Sequence, residues 1–199
     1  MSFERLSSSR RLKLILAMTG ATGLPYALRA VEVLEPLVDL TLLCSDGFQR
    51  IVEYEWPLAL SFDQWSERYE VQTRMDRWMA SGSSPVDRYL VLPCSLNHLS
   101  RIALGLTDDL VARTIAVALK EKRSTVLVVR EMPLSSIHLK HLLTLQRLPE
   151  VQAFVASPTF YNKPQTVADL VDTVVSRTID LLQLGVPNPL RNPWLNDAY

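Results

Sequence analysis

A single α/β domain, with a mostly parallel sheet covered by helices on both faces, is the fold this 199-residue chain predicts. Three observations carry that expectation. Short apolar runs alternate with longer segments at helical spacing, the signature of repeated strand–helix units. The run Thr125-Val-Leu-Val-Val129 offers no polar face, as expected of a strand buried on both sides. It ends in Arg130-Glu131-Met-Pro133, and proline cannot continue a central strand. An ion-forming pair therefore stands at a strand's carboxyl tip, the edge where open α/β sheets hold ligands.

Composition narrows the function classes. Lys+Arg and Asp+Glu both number 21, so no global basic field draws in nucleic acid or an anionic membrane. Two cysteines, Cys44 and Cys94, lack metal-ligand spacing, and with three histidines no metal site is expected. No apolar run reaches membrane-spanning length and no signal peptide is recognisable, which makes a cytoplasmic protein the expectation. Residues 1–11 read as a polar, Ser-rich tail, 12–184 as the domain, and 185–199 as a tail kept extended by Pro187, Pro189 and Pro193.

The elements follow in order. Leu12 to Met18 is the first strand, broken by Thr19-Gly-Ala-Thr-Gly23, with Ala27, Leu28, Val31 and Leu34 at helical spacing beyond it. A strand, a glycine turn and a helix start form an anion cradle, because free N–H groups there point outward. Pro25 suits the first helical turn. Val38 to Cys44 is the second strand, ending at Ser45. A short helix then spans Phe48 to Tyr54, with Glu53 and Glu55 at its close and Trp56-Pro57 stopping it. From Leu58 to Arg88 the pattern is weak and polar, an irregular stretch ending in Ser81-Gly-Ser-Ser-Pro85. Tyr89 to Leu92 is the third strand, ended by Pro93-Cys-Ser95, and Ser95 caps the next helix. Asp108 or Asp109 caps a helix to about Arg123, on which Arg113 and Lys120 share one face. Ser135 or Ser136 caps a helix over Ile137 to Arg147. Val151 to Val155 is the fifth strand, and Thr166 caps a long helix to about Leu184, with Leu170, Val174 and Arg177 along one side.

Lined up in order, these pieces resemble the flavin prenyltransferases of the UbiX type, within the flavin-binding Cys-decarboxylase-like superfamily. The resemblance runs from about Leu14 to Arg177. It rests on Met18-Thr-Gly-Ala-Thr-Gly23, Ser81-Gly-Ser83, Pro93-Cys-Ser95, Leu119-Lys-Glu121, Arg130-Glu-Met-Pro-Leu134, Ile137-His-Leu139 and Phe160-Tyr-Asn-Lys-Pro164. It implies a Rossmann-like three-layer subunit that binds FMN without metal and assembles as a dodecamer with sites at subunit interfaces. The implied reaction joins a dimethylallyl group, from dimethylallyl phosphate, to N5 and C6 of reduced FMN. Its product, prenylated FMN, would pass to a UbiD-type decarboxylase.

Residue by residue, the resemblance gives the flavin to Gly20, Ala21 and Thr22, with Ser45, Ser95, Leu96, Asn97, His98 and Arg130. It gives the prenyl phosphate to Tyr161, Arg177, Lys120 and Arg113, and makes Trp194 an aromatic of the tail that closes over the site from a neighbouring subunit. Glu131 and Glu55 become the acid–base and electrostatic pair, with Lys120 and Thr22 beside them as catalytic groups. The types suit the chemistry: breaking an allylic C–O bond leaves a phosphate that needs fixed cations, and water must be kept out. The chain departs from the family pattern at Thr22 (more often Ser), at Ala116 (usually acidic), at His98 (commonly a small hydroxyl residue), and in a short link from Trp78 to Ser81. Two other readings stand beside this one. An FMN-dependent cysteine-type decarboxylase would carry a histidine soon after the second strand, and Ser45-Asp-Gly-Phe-Gln-Arg50 has none. A non-catalytic flavin binder would purify yellow and make no prenylated product.

Overall fold

The structure is a computed structural model and describes residues 10–55, 62–69, 71–73 and 80–191. The sheet is built from β1 (Lys13–Met18), β2 (Asp39–Cys44), β3 (Arg88–Cys94), β4 (Thr125–Val129) and β5 (Val151–Val155). All four pairings are parallel, and the order is β2-β1-β3-β4-β5. The chain reverses its direction of travel across the sheet between β1 and β3, so a crevice opens above their carboxyl ends.

Parallel strands need helical crossovers, and the helices divide between the two faces. Leu14, Leu16 and Met18 of β1 pack with α1 (Leu24–Leu34) and α7 (Val167–Leu182), whereas Ile15 and Ala17 pack with α4 (Leu96–Leu104) and α5 (Leu110–Lys120). α6 (Ser136–Gln146) lies beside α4, sending Leu145 into the second core. Strands buried on both faces explain why the β4 run is β-branched or apolar throughout, its one hydroxyl, that of Thr125, donating to Arg123 O.

Several boundaries differ from the sequence reading. The irregular stretch contains a helix, α3 (Phe62–Arg68), whose Trp65 is buried with its ring 5.3 Å from that of Tyr69. Seven residues are too few for helical periodicity to show. Gln72 then bonds both Leu42 and Cys44 along the outer edge of β2. β3 does not stop at Leu92 but runs through Pro93 to Cys94. Val91 faces Leu127 and Cys94 faces Val129, so three steps on β3 match two on β4. That extra residue is a bulge, and it lets a residue without an N–H sit inside a central strand.

α5 ends at Lys120 rather than Arg123, because Lys122 turns left-handed (φ 52°) and Arg123 bonds Tyr89 Oη and Gly82 O. α7 ends at Leu182 on left-handed Gln183. On α7 the core stripe is Val174, Val175, Thr178, Ile179 and Leu182, with Arg177 on the exposed side instead of in line with Val174. α2 (Asp46–Glu55) begins two residues earlier than expected. The helix caps resolve to Asp109 for α5, Ser135 for α6 and Thr166 for α7.

Arg10, read as tail, is anchored through both oxygens of Asp87 (2.9 and 2.8 Å). At the other end Asn188 and Arg191 bond Asp180 of α7, so the start of the Pro-rich segment lies on its own subunit. Trp56-Pro57, Trp78 and Trp194 fall outside the described residues. Among the described residues no helix is long and apolar enough to cross a membrane.

Candidate active site

The tips of β1, β2 and β3 are bound together before any ligand is considered. Thr19 donates from its amide (3.1 Å) and its hydroxyl (2.8 Å) to Pro93 O, and its hydroxyl accepts the Ser95 amide at 2.7 Å. Ser45 donates its amide to Met18 O, and its hydroxyl accepts the Phe48 amide. Gly20 meets Gly47 backbone to backbone: a Cβ at position 20 would lie 2.9 Å from Gly47 C. Only glycine allows that approach.

Beside this contact opens a cleft of about 500 Å3 lined by Gly20, Ser45, Ser95, Asn97 and His98, five of the expected flavin residues. Arg50 of α2 and Arg101 of α4 also line it. Ala21, Thr22, Leu96 and Arg130 lie outside that lining. Ser95 caps α4 by accepting the His98 amide (3.3 Å), and its hydroxyl lies 3.0 Å from His98 Nδ1. His98 Nε2 is 3.1 Å from Asp109 Oδ2, at ion-pair length though off the line of a hydrogen bond. Asp109 uses its other oxygen to cap α5 through the Ala112 amide at 2.8 Å. Burial works to raise the Asp109 pKa, but the His98 contact, the Ala112 amide and the Arg101 charge overcome it and hold the carboxyl below the usual range.

A second group of expected residues gathers around Gly23, which takes a positive φ of 117°. Glu55 Oε2 accepts the amides of Gly23 (3.1 Å) and Leu24 (3.2 Å). The N–H groups expected to be free at the glycine turn are therefore held, at 23 and 24, by a side chain of this protein. α1 has no side-chain cap of its own, which leaves those donors for a carboxylate from α2. The Arg130 stem lies against the same glycine, its Cγ 3.3 Å from where a Cβ would stand. Tyr26 adjoins it: burial raises its hydroxyl pKa, and the nearby Arg130 charge partly offsets this. The sequence reading missed Tyr26, whose only signal was an aromatic three residues past the glycine turn. Arg130 donates its amide to Cys94 O, and the Glu131 carboxylate folds back onto the Met132 amide at 3.0 Å.

Tyr161 and Arg177 come together in a third place, a cleft of about 640 Å3 between the segment after β5 and the outer side of α7. Lys163 and Arg191 share that cleft with three carboxylates, Asp169, Asp172 and Asp180.

Lys120 departs most from expectation. Arg113 and Lys120 do share the exposed side of α5, but α5 runs back against the strand direction and carries Lys120 to the sheet's amino edge. There its ammonium pairs with Glu121 at 3.0 Å and lies beside Gly82, in the Ser81-Gly-Ser83 loop that adjoins Lys13 at the start of β1. Glu131 stands at the carboxyl edge, beyond the five residues of β4, or roughly 17 Å of strand. Within one chain the expected meeting of Lys120 with Arg130-Glu131 does not occur.

Both cysteines are buried and free; burial raises both thiols, that of Cys94 to about 12. Among the described residues no cluster of three His, Cys, Asp or Glu side chains could hold a metal ion.

Known proteins resemble the chain over most of its length. The family model described as Flavoprotein matches residues 2–179. A flavin prenyltransferase UbiX of Methanocaldococcus jannaschii is 38% identical over 189 residues, covering 92% of this chain and 98% of that protein. The crystal structure of AnUbiX (PadA1) with FMN and dimethylallyl pyrophosphate superposes with a TM-score of 0.84 at 33% identity, covering 93% and 98% of the two chains. A dodecameric FMN-dependent Ubix-like decarboxylase from Escherichia coli O157:H7 gives a TM-score of 0.80 at 37% identity, covering 89% and 97%. With its parallel sheet, its glycine turn and its Arg130-Glu131 tip, the chain belongs to the flavoprotein family and, within it, to the flavin prenyltransferases of the UbiX type.

Proposed function

We propose that the protein joins a dimethylallyl group to reduced FMN, making prenylated FMN for a UbiD-type decarboxylase. The observation that carries this reading is the convergence of Glu55 and Arg130 on Gly23, beside a cleft whose floor is the Gly20–Gly47 contact. The residues fit FMN: bare backbone for close approach, hydroxyls at Ser45 and Ser95, and the Arg50 guanidinium for a phosphate, Arg101 being paired with Asp108 and Asp109 at 3.1 Å each. When bound, reduced FMN supplies N5 and C6, the atoms to be alkylated.

The chain's own residues supply the rest. Arg130 sets a fixed positive charge at the tip of β4, and Glu131 beside it is placed to hold or move a proton during ring closure. Glu55 fixes the start of α1 and keeps a carboxylate beside the same turn. Tyr161 and Arg177, with Arg113 and Lys120, are the candidates for the prenyl phosphate, whether the donor is the monophosphate or the diphosphate.

Lys120 can reach a Glu131 only from another copy of the chain. The amino edge of one subunit, with Lys120 and Ser81-Gly-Ser83, would face the carboxyl edge of the next. The dodecameric state of the Escherichia coli relative supports that reading. A run of exposed apolar residues on α6 (Ile137, Leu139 and Leu143), with Met132 nearby, supplies surface for such assembly.

Incubation with FMN, a reductant and dimethylallyl phosphate, followed by mass spectrometry of the bound cofactor, tests the function. Prenylated FMN is expected. A protein that turns yellow with FMN but returns it unaltered would be a flavin binder, and carbon dioxide released from a peptidyl cysteine carboxylate would mark a decarboxylase.

A further inference from the structure

His98 is 4% exposed, at the wall of a cleft read above as the flavin's, and the inference that follows rests on that reading. Its two ring nitrogens face different partners. Nε2 lies 3.1 Å from a carboxylate oxygen of Asp109, so that nitrogen carries a proton in either charge state; a lone pair there would face a like charge. Nδ1 lies 3.0 Å from the Ser95 hydroxyl, which also accepts the His98 amide. In the neutral imidazole Nδ1 is an acceptor, Ser95 turns its O–H toward it, and Ser95 shows the cleft only lone pairs. In the imidazolium Nδ1–H donates to Ser95, and the hydroxyl proton is released toward the cleft.

The charges around the cleft give this exchange its direction. Asp46 on α2 and Asp108 and Asp109 before α5 face Arg50 on α2 and Arg101 on α4, three carboxylates against two guanidiniums. The Cys44 thiol, also in the lining, is kept neutral by burial. With His98 neutral these groups sum to one negative charge, which opposes an anion. With His98 protonated they balance.

We propose that Asp109, His98 and Ser95 form a proton-linked anion sensor, in which binding of the flavin's phosphate is coupled to proton uptake by the His98 imidazole. Protonation turns Ser95 from acceptor to donor toward the phosphate and removes the excess negative charge. The proton comes from solvent and no covalent bond changes. His98 is thus a positioning residue, acting through Ser95.

Calorimetric titration of the full chain with oxidised FMN, and separately with riboflavin, tests this in buffers of different ionisation enthalpy from about pH 6 to pH 8. The wild type should take up more protons on binding FMN than the His98→Thr variant does, and its affinity should fall more steeply than the variant's as pH rises across that interval. His98→Thr should lose that excess and bind FMN about tenfold more weakly at the acid end. The phosphate's own ionisation, present in both proteins, works in the opposite direction and cancels in the comparison.

Riboflavin, lacking the phosphate, should show no His98-dependent uptake. Asp109→Asn keeps a capping side chain for α5 but removes the charge behind the imidazole, so it should lose the uptake too, and it serves equally if His98→Thr fails to fold. Equal proton uptake by wild type and variants, or His98-dependent uptake with riboflavin, overturns the proposal while leaving the flavin cleft intact. A wild type that binds no FMN removes both.

Discussion

The Glu55 carboxylate at the end of α2 accepts the Gly23 amide at 3.1 Å, and its neighbour Leu24 at 3.2 Å, closing the start of α1 from outside that helix. One side chain thereby holds a turn and stands at the site. Glu55→Ala should cost about 1 kcal/mol of stability, as losing a helix cap does, read as a lower denaturant midpoint. Glu55→Gln keeps an acceptor oxygen and should unfold near the wild-type midpoint while its prenylated product falls. Equal product from Glu55→Gln and wild type would confine the residue to a structural role.

Glu131→Gln should bind FMN and give no product, because the amide cannot exchange a proton as the carboxylate does. Flavin absorbance of the purified variant and mass spectrometry after turnover separate the two effects. Unchanged turnover would remove Glu131 from the proton transfers.

The placement of Lys120 and Glu131 at opposite sheet edges predicts complementation. Lys120→Ala and Glu131→Gln should each be inactive alone. Co-expressed, they should recover part of the activity, since mixed assemblies contain contacts where an intact Lys120 edge meets an intact Glu131 edge. Mixed assemblies as inactive as the parents would show that the two residues never serve one site.

Gly20→Ala sets a methyl group 2.9 Å from the Gly47 backbone, which cannot rotate away. Overpacking of this kind costs about 1–3 kcal/mol. The variant should unfold at lower denaturant and lose FMN affinity together.

Asp109 gives a pH dependence. Its carboxyl is held below the usual range, the His98 contact, the Ala112 amide and the Arg101 charge outweighing burial. A depressed carboxyl contributes stability above its unfolded-state pKa and loses it as pH falls through the lowered value. Asp109→Ala should be less stable than wild type near neutrality, by about 1 kcal/mol for the lost cap. Denaturation curves recorded at successively lower pH should show that gap narrowing; a gap independent of pH would mean the charge contributes nothing.

Much of this molecule was legible in its sequence, for physical reasons that differ from place to place. The β4 run and its Arg130-Glu131 tip could be read because burial on both faces keeps charged residues out until the strand ends. Asp109, Ser135 and Thr166 announced their helices by cap chemistry, with an adjacent Asp or Ser the only ambiguity. α3 was hidden by its length. The positions of Glu55 and Lys120 were hidden for another reason: side-chain reach and helix direction are tertiary facts. Spacing placed Arg113 and Lys120 on one side of α5, correctly, but could not say that α5 travels away from the site.

The additional residue in β3 reaches beyond that strand. Tyr89 and Val91 point into the core beneath α4 and α5, and Leu90 and Leu92 into the opposite one; strict alternation would send Cys94 with Leu92. It sits instead with Tyr89 and Val91, because the bulge resets the count. A one-residue slip reverses every side chain downstream. Excising Pro93 would remove the slip and the extra residue together, leaving Cys94 opposite Val129 and the segment after it facing as before, but it would delete the carbonyl that accepts the Thr19 amide and hydroxyl. The extra residue thus serves the tie between the strand tips, and its loss should loosen Thr19 without turning the Ser95 hydroxyl to the other layer.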